Sequence, residues 1–157
     1  MSVTPSVRVG VISDTHGLVR PEAVKALRGV DLIVHAGDIG TPDVLDQLRA
    51  IARVVAIRGN NDRGAWARTL PERDTLRVAG ARIHVIHDVN ELDAELGDID
   101  VVVSGHSHRP GIVERDGTLY LNPGSAGPRR FSLPVTVAHL AIRAGVPRAR
   151  IIPLATR

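Results

Sequence analysis

At 157 residues the chain has the length of one domain, enough to bury roughly 70% of the surface it exposes when unfolded. Apolar residues at 43% and charged residues at 24% describe an ordinary globular composition. The absence of cysteine excludes disulfides, thiolate nucleophiles and cysteine-held zinc together, which leaves any metal to His, Asp, Glu or Asn. No apolar run approaches the ~20 residues of a membrane span. Val7 to Ser13 is short and interrupted by Arg8, so it does not read as a signal peptide, and a cytoplasmic protein is expected. The sequence pI near 10.5 sits beside a formal charge of only +3. The basic residues are scattered along the chain, almost all arginine, with Lys25 the only lysine. Trp66, Tyr120 and Phe131 are too few for stacking platforms, so nucleic acid is not the expected main partner.

In chain order, residues 1–6 read as a loose end, and Val7 to Ser13 is a β-branched run that closes on a polar turn. Leu32 to Ala36 and Val54 to Arg58 repeat that pattern, as buried parallel strands do. Helices fall between them. Pro21 takes a first-turn position with Gly29 as stop, then Thr41 is placed as N-cap before Pro42. Val44, Leu45, Leu48 and Ile51 share one helical face. The first sixty residues thus spell a parallel α/β unit.

The second half changes character and opens on two antiparallel pairs. Thr75 to Val78 and Arg82 to His87 flank Ala79-Gly80, and Gly111 to Arg115 with Thr118 to Leu121 flank Asp116-Gly117. Asn90 and Asp93 are spaced to cap a short helix closed by Gly97. Val101 to Ser104 is another buried strand, and Val135 to Ile142 with Ala149 to Leu154 complete two sheets covered by helices.

The chemically capable residues stand where strands end. Asp14 and His16 follow the first strand, Asp38 the second, and Asn60, Asn61 and Asp62 the third. His87 ends a hairpin strand, and His106 and His108 follow Val101 to Ser104. Open α/β sheets bind ligands at the carboxyl ends of their strands, so five strand ends deliver side chains to one rim. Pairs at i and i+2, such as Asp14/His16 and His106/His108, point to one side of an extended segment. A carboxylate can bridge two cations roughly 3.5–4 Å apart, which polarise a phosphoryl oxygen and acidify a shared water. The mixed N and O donors suit Mn, Fe, Ni, Co or Zn. His35, within an apolar run, is expected to hydrogen-bond behind the ligands or simply to pack in the core, and His139 reads as structural. Arg58, just before Gly59, is placed to reach a substrate phosphate or to pair with an acid.

Asp14-Thr15-His16, Gly37-Asp38, Gly59-Asn60-Asn61-Asp62, Gly105-His106-Ser107-His108 and Asn122-Pro123-Gly124-Ser125, in that order, resemble the motifs of the calcineurin-like metallophosphoesterases, in their small single-domain bacterial and archaeal phosphodiesterase branch. The resemblance covers residues 7 to 155. It implies one domain over residues 1–157, built as a four-layer αββα sandwich of two mostly mixed β-sheets flanked by helices. It also implies a dinuclear site, with Asp14, His16 and His108 on the first metal, Asn60, His87 and His106 on the second, and Asp38 between them. Two divalent ions are expected, manganese foremost. A bridging hydroxide would attack a small phosphate ester while Asn60 and His106 stabilise the charge gathering on phosphorus. Arg58 and Asn61 are the candidates for substrate binding, and a homo-dimer or tetramer is expected from the relatives.

Two positions depart from the pattern. Many members of the wider superfamily carry His where this chain has Asn61, and an amide cannot protonate a leaving group near neutral pH. Aryl esters should therefore be favoured over alkyl ones. The family's His-Gly is here His87-Asp88, an extra carboxylate that either tunes the metals or faces solvent. His84, three residues before His87, belongs to the opposite strand face. A non-catalytic metal-binding scaffold on the same fold, as in the retromer subunit resembling this family, is the alternative; all seven ligand positions carrying competent side chains favours the enzyme.

Overall fold

Short β-branched runs, each ended by a glycine or polar turn, form two five-stranded sheets. The computed structural model describes residues 5–93 and 97–155. The first sheet holds β1 (Ser6–Ile12), β2 (Leu32–His35), β3 (Arg53–Ala56), β9 (Thr136–Arg143) and β10 (Val146–Pro153), in the order β10-β9-β1-β2-β3. β1, β2 and β3 are parallel, with Val9 opposite Leu32 and Ile33 opposite Val54, while β9 runs antiparallel to β1. The second sheet holds β4 (Arg73–Val78), β5 (Ala81–Ile86), β6 (Val101–Val103), β7 (Gly111–Arg115) and β8 (Thr118–Asn122), in the order β4-β5-β6-β8-β7. Here β5, β6 and β8 are the parallel trio.

Alternate residues of the two sheets meet in one core: Val9, Val11 and Val34 of the first share a buried cluster with Ile83, Val85, Val101 and Val103 of the second. The other face of the first sheet, through Ile12, Ile33 and Ala56, is covered by α1 (Pro21–Leu27) and α2 (Pro42–Arg49), which bury Ala23, Leu27, Val44, Leu45 and Leu48. Fully burying a side chain of this kind contributes roughly 1.5–3 kcal/mol, so these two layers dominate the stability of the fold. The short α3 (Ala65–Arg68), which the sequence pattern does not announce, adds Trp66 to the same layer. On the far side of the second sheet the covering layer is thin. Among the described residues it consists of Leu92 and Ile99, packed on Ile86, Val102 and Tyr120. No described helix is long and apolar enough to cross a membrane.

Several boundaries differ from the sequence expectation. β1 starts at Ser6, paired with Arg143, one residue inside the stretch read as a loose end, while residues 1–4 lie outside the described part. Thr41 takes the N-cap position of α2, but its side chain makes no capping bond. The helix expected from Asn90 to Gly97 is a single 3-10 turn, Val89–Glu91, because the Asp88 carboxylate accepts the Asn90 N–H (3.0 Å) and caps the chain two residues earlier. Leu92 is already extended (φ −64°, ψ 130°), and residues 94–96 lie outside the described part.

Three hairpins turn on an X-Gly pair in which both residues have positive φ: Ala79-Gly80, Asp116-Gly117 and Ala144-Gly145. This is the turn that follows the right-handed strand twist, and Asn or Asp suits its first position best. Exposed Ala144, at φ 49°, is held in a region that costs an ordinary L-residue roughly 1–2 kcal/mol. Ala144→Asn should therefore stabilise the chain by about 0.5–1 kcal/mol, read as a rise in the thermal midpoint; a fall would show that the methyl group packs usefully.

Candidate metal centre

The carboxyl ends of the two parallel trios open on one rim. Asp14 and His16 follow β1, Asp38 follows β2, Asn60 follows β3, His87 follows β5, and His106 and His108 follow β6. Two groups of ligand atoms form there, each within 4.8 Å: Asp14, His16 and His108 in one, Asp14, Asp38 and His87 in the other. His108 Nε2 is 3.5 Å from Asp14 Oδ1, and His87 Nε2 is 3.3 Å from Asp38 Oδ2. The same Asp38 oxygen lies 3.9 Å from His16 Nε2, so this carboxylate stands between the imidazoles of both groups. Asp14 is common to both as well. His106 stands just outside, with Nδ1 3.3 Å from His87 Nε2 and Nε2 3.8 Å from the Asp88 carboxylate.

The backbone of the site is unusual. Asp14, His16, Asp38, His106 and His108 all adopt left-handed φ, between 46° and 71°. The i, i+2 pairs therefore do not share a side by lying in extended chain, as their spacing suggested; each ligand sits on its own sharp bend. Non-glycine residues in this region persist only where their surroundings hold them, and they cluster at functional sites. Glycines carry the close approaches instead. A Cβ on Gly59 would strike Asp38, and one on Gly105 would strike Ser13 and Asp14.

A layer of hydrogen bonds fixes these bends. Ser13 Oγ donates to Asp14 Oδ2 (2.7 Å), and the His106 N–H donates to the same oxygen (3.1 Å). His87 Nδ1 donates to the Ala36 carbonyl (2.8 Å), which leaves Nε2 facing the acids. Asp62 accepts from the N–H groups of Ile39, Gly40 and Gly59, tying the loop after β2 to the loop after β3. Asn122 donates to the Gly105 carbonyl, and Ser125 Oγ to that of Asp14. Asn122 to Ser125 thus shape the neighbouring loops. The motif spacing assigns no role to Asp62 or Ser13; the signal for both is a small polar side chain within a turn of backbone that has donors to satisfy.

His35 is wholly buried. It accepts from the Gly37 N–H and is 3.0 Å from Thr15 Oγ1, and burial with the neighbouring His87 charge pushes its imidazole down to about 3. It is a neutral brace behind the ligands. His84 pairs with Thr75 on the opposite strand face, and His139 with the Ala26 carbonyl; neither approaches the rim. Asn60 is exposed and lines a cleft of about 490 Å³ with Arg58, Glu72, Asp88 and His106. Arg58 is paired with Glu72 (3.1 Å) at the edge of that cleft. Asn61 is exposed as well, but its backbone N–H and side-chain amide both donate to Asp38 (3.0 and 3.1 Å).

The donor set fits a cation. Asp14 Oδ1 and His16 Nε2 are buried without a hydrogen-bond partner, and buried polar atoms are seldom left so. Burial raises the Asp14 carboxyl despite the Ser13 bond and the His87 and His108 charges. Burial acts the same way on Asp38, but the bonds from His87 and Asn61 and the charges of His87 and His16 outweigh it and hold this carboxyl well below the usual range. For His87, burial works against the proton. The Asp38 bond, the Ala36 carbonyl and the two acids prevail, and its imidazole is pushed up to about 8. Burial lowers His108.

A profile of the calcineurin-like phosphoesterase superfamily domain matches residues 7–145. The chain belongs to this superfamily. A probable metallophosphoesterase of Methanothermobacter thermautotrophicus is 40% identical over 141 residues, covering 80% of this chain and 81% of its own length. Among solved structures, an archaeal phosphodiesterase superposes with a TM-score of 0.76 at 23% identity, covering 93% of this chain and 100% of that one. Vacuolar protein sorting 29 of Cryptosporidium parvum gives 0.76 at 17% identity, covering 96% and 99%. These two likenesses establish the shared fold.

Within this phosphoesterase, the His87 shift sets a pH dependence for the metal-free chain. Its folded value of about 8 lies above the ordinary 6.5, so the stability of the charged His87-Asp38 pair is complete below pH 6.5 and is lost as pH rises through about 8. A cation must displace that proton, so affinity should climb across the same window. Ring-resolved NMR titration of His87 should give a midpoint near 8; a midpoint at or below 6.5 would contradict the pairing.

Proposed function

We propose that the chain is a single-domain, cytoplasmic, dinuclear metal-dependent phosphodiesterase acting on small phosphate esters, with dimer or tetramer as the expected assembly. The observation that carries the reading is the rim itself: buried Asp14 Oδ1 and His16 Nε2 without hydrogen-bond partners, and Asp38 between two sets of imidazoles. Asp14, His16 and His108 would hold one cation, Asn60, His87 and His106 the other, with Asp38 shared and manganese the first choice. When bound, such a pair supplies Lewis-acid polarisation of the phosphoryl group and a water acidified into a hydroxide nucleophile. Asn60 and His106, which border the cleft, would donate to the phosphoryl oxygens as charge gathers there. Arg58 at the cleft edge would meet the substrate phosphate. Asn61 would act on substrate through Asp38, whose carboxylate it orients with two hydrogen bonds.

Asn61 offers no acid for the leaving group, so the chemistry depends on the leaving group itself. With added manganese, the chain should hydrolyse an activated aryl phosphodiester, chelator should abolish this, and an alkyl diester should react at least about 100-fold more slowly. A metal-binding scaffold is the competing reading, kept in view by that missing acid. Full metal occupancy with no turnover of any mono- or diester would establish the scaffold and end the enzymatic proposal.

A further inference from the structure

Arginines that look scattered in the sequence are gathered by strand register. Val7, Val9, Leu140, Ile142, Ala149 and Ile151 face the inter-sheet core, so the residues alternating with them face outward. Arg8 and Arg148 both pair with Ala141, one from each side, which puts their Cα atoms about 10 Å apart across two strand spacings. Arg150 lies on the same face two residues beyond Arg148, about 6.8 Å along the strand. Arg143 lies two residues from Ala141 on β9. Two adjoining cavities of about 240 and 520 Å³ share Ala141 and Arg148 and form a groove over this face.

No carboxylate among the described residues lines either cavity. Among the described residues, Arg8, Arg143, Arg148 and Arg150 enter no ion pair. Asp31 approaches Arg8 only at its backbone, accepting the N–H at 2.8 Å. Four exposed guanidinium groups thus repel one another over a floor of small side chains, an arrangement that an anionic ligand would relieve.

We propose that this groove binds the phosphate backbone of a nucleic acid strand, gripping its phosphates without reading its bases. Guanidinium forks match phosphate oxygens in pairs, and among the described residues no Phe, Tyr or Trp lines the groove to stack on a base, while the His139 ring is tied to the Ala26 carbonyl. An acidic peptide is the weaker fit. Pro147 and Pro153 remove two N–H donors from β10, the free edge of the sheet, which obstructs strand addition. A lipid surface is weaker still, since Val146 is the only exposed large apolar side chain in the lining. The proposal rests on this face alone and does not depend on the metal centre.

The test is fluorescence anisotropy of a labelled single-stranded oligonucleotide, without added metal, across a salt series. Three to four phosphate contacts predict a slope of log K against log salt of about −2 to −3. In the triple variant R8Q/R148Q/R150Q the slope should shrink to about −1 or less, with at least about 10-fold weaker binding at low salt. All three side chains are exposed, so the variant should melt like the parent, and its melting curve is the control. Equal binding by parent and variant would overturn the proposal. So would tighter binding of a poly-glutamate peptide, or anionic vesicles that the oligonucleotide cannot displace.

Discussion

Asp38→Ala should lower kcat for an activated aryl diester by at least about 10³-fold and cost the chain part of its bound metal. The reason is positional. One Asp38 oxygen lies 3.3 Å from His87 Nε2 and 3.9 Å from His16 Nε2, so its removal leaves Asp14 as the acid shared by the two groups. The same change should leave a second mark in the metal-free protein. Without the Asp38 partner, His87 loses the bond and the charge that hold it near 8, and its titration should fall toward the ordinary range or below it, since burial then acts with less opposition. Activity and metal content both unchanged in the variant would remove Asp38 from the mechanism.

The second large effect is expected in stability. Asp62 is almost fully buried and satisfies three backbone N–H groups, those of Ile39, Gly40 and Gly59. Asp62→Ala would strand those donors, at a cost of roughly 3–5 kcal/mol, or about 10 °C or more in the thermal midpoint of a domain this size. Asp62→Asn should fall between, because an amide keeps one acceptor oxygen and turns the other position into a donor. Since Gly59 packs on Asp38, the Ala variant should also loosen metal binding. A melting temperature within a few degrees of the parent would mean that water replaces the carboxylate.

The strands were legible because β-branched runs broken by glycine leave few other options, and the hairpins because Ala79-Gly80 and Asp116-Gly117 sit between alternating segments. The rim was legible because Asp and His repeatedly follow those runs. Other features depend on information that spacing does not contain. Nothing in Asp14-Thr15-His16 announces left-handed backbone at both ligands. Asn61 lies beside Asn60, yet one faces the cleft and the other folds onto Asp38, a choice made by the turn that Asp62 closes. The arginine face escaped notice because Arg8 and Arg148 are 140 positions apart in the chain and become neighbours only through β9.

The left-handed residues of the rim also bear on engineering. A library sorted only for heat resistance will find relief among Asp14, His16, Asp38, His106 and His108 wherever the torsion costs more than the side chain's own bonds return, because glycine accepts those torsions freely. Such winners would be hardened and inert. Any selection for durability in this protein must therefore hold those five codons fixed or score turnover alongside.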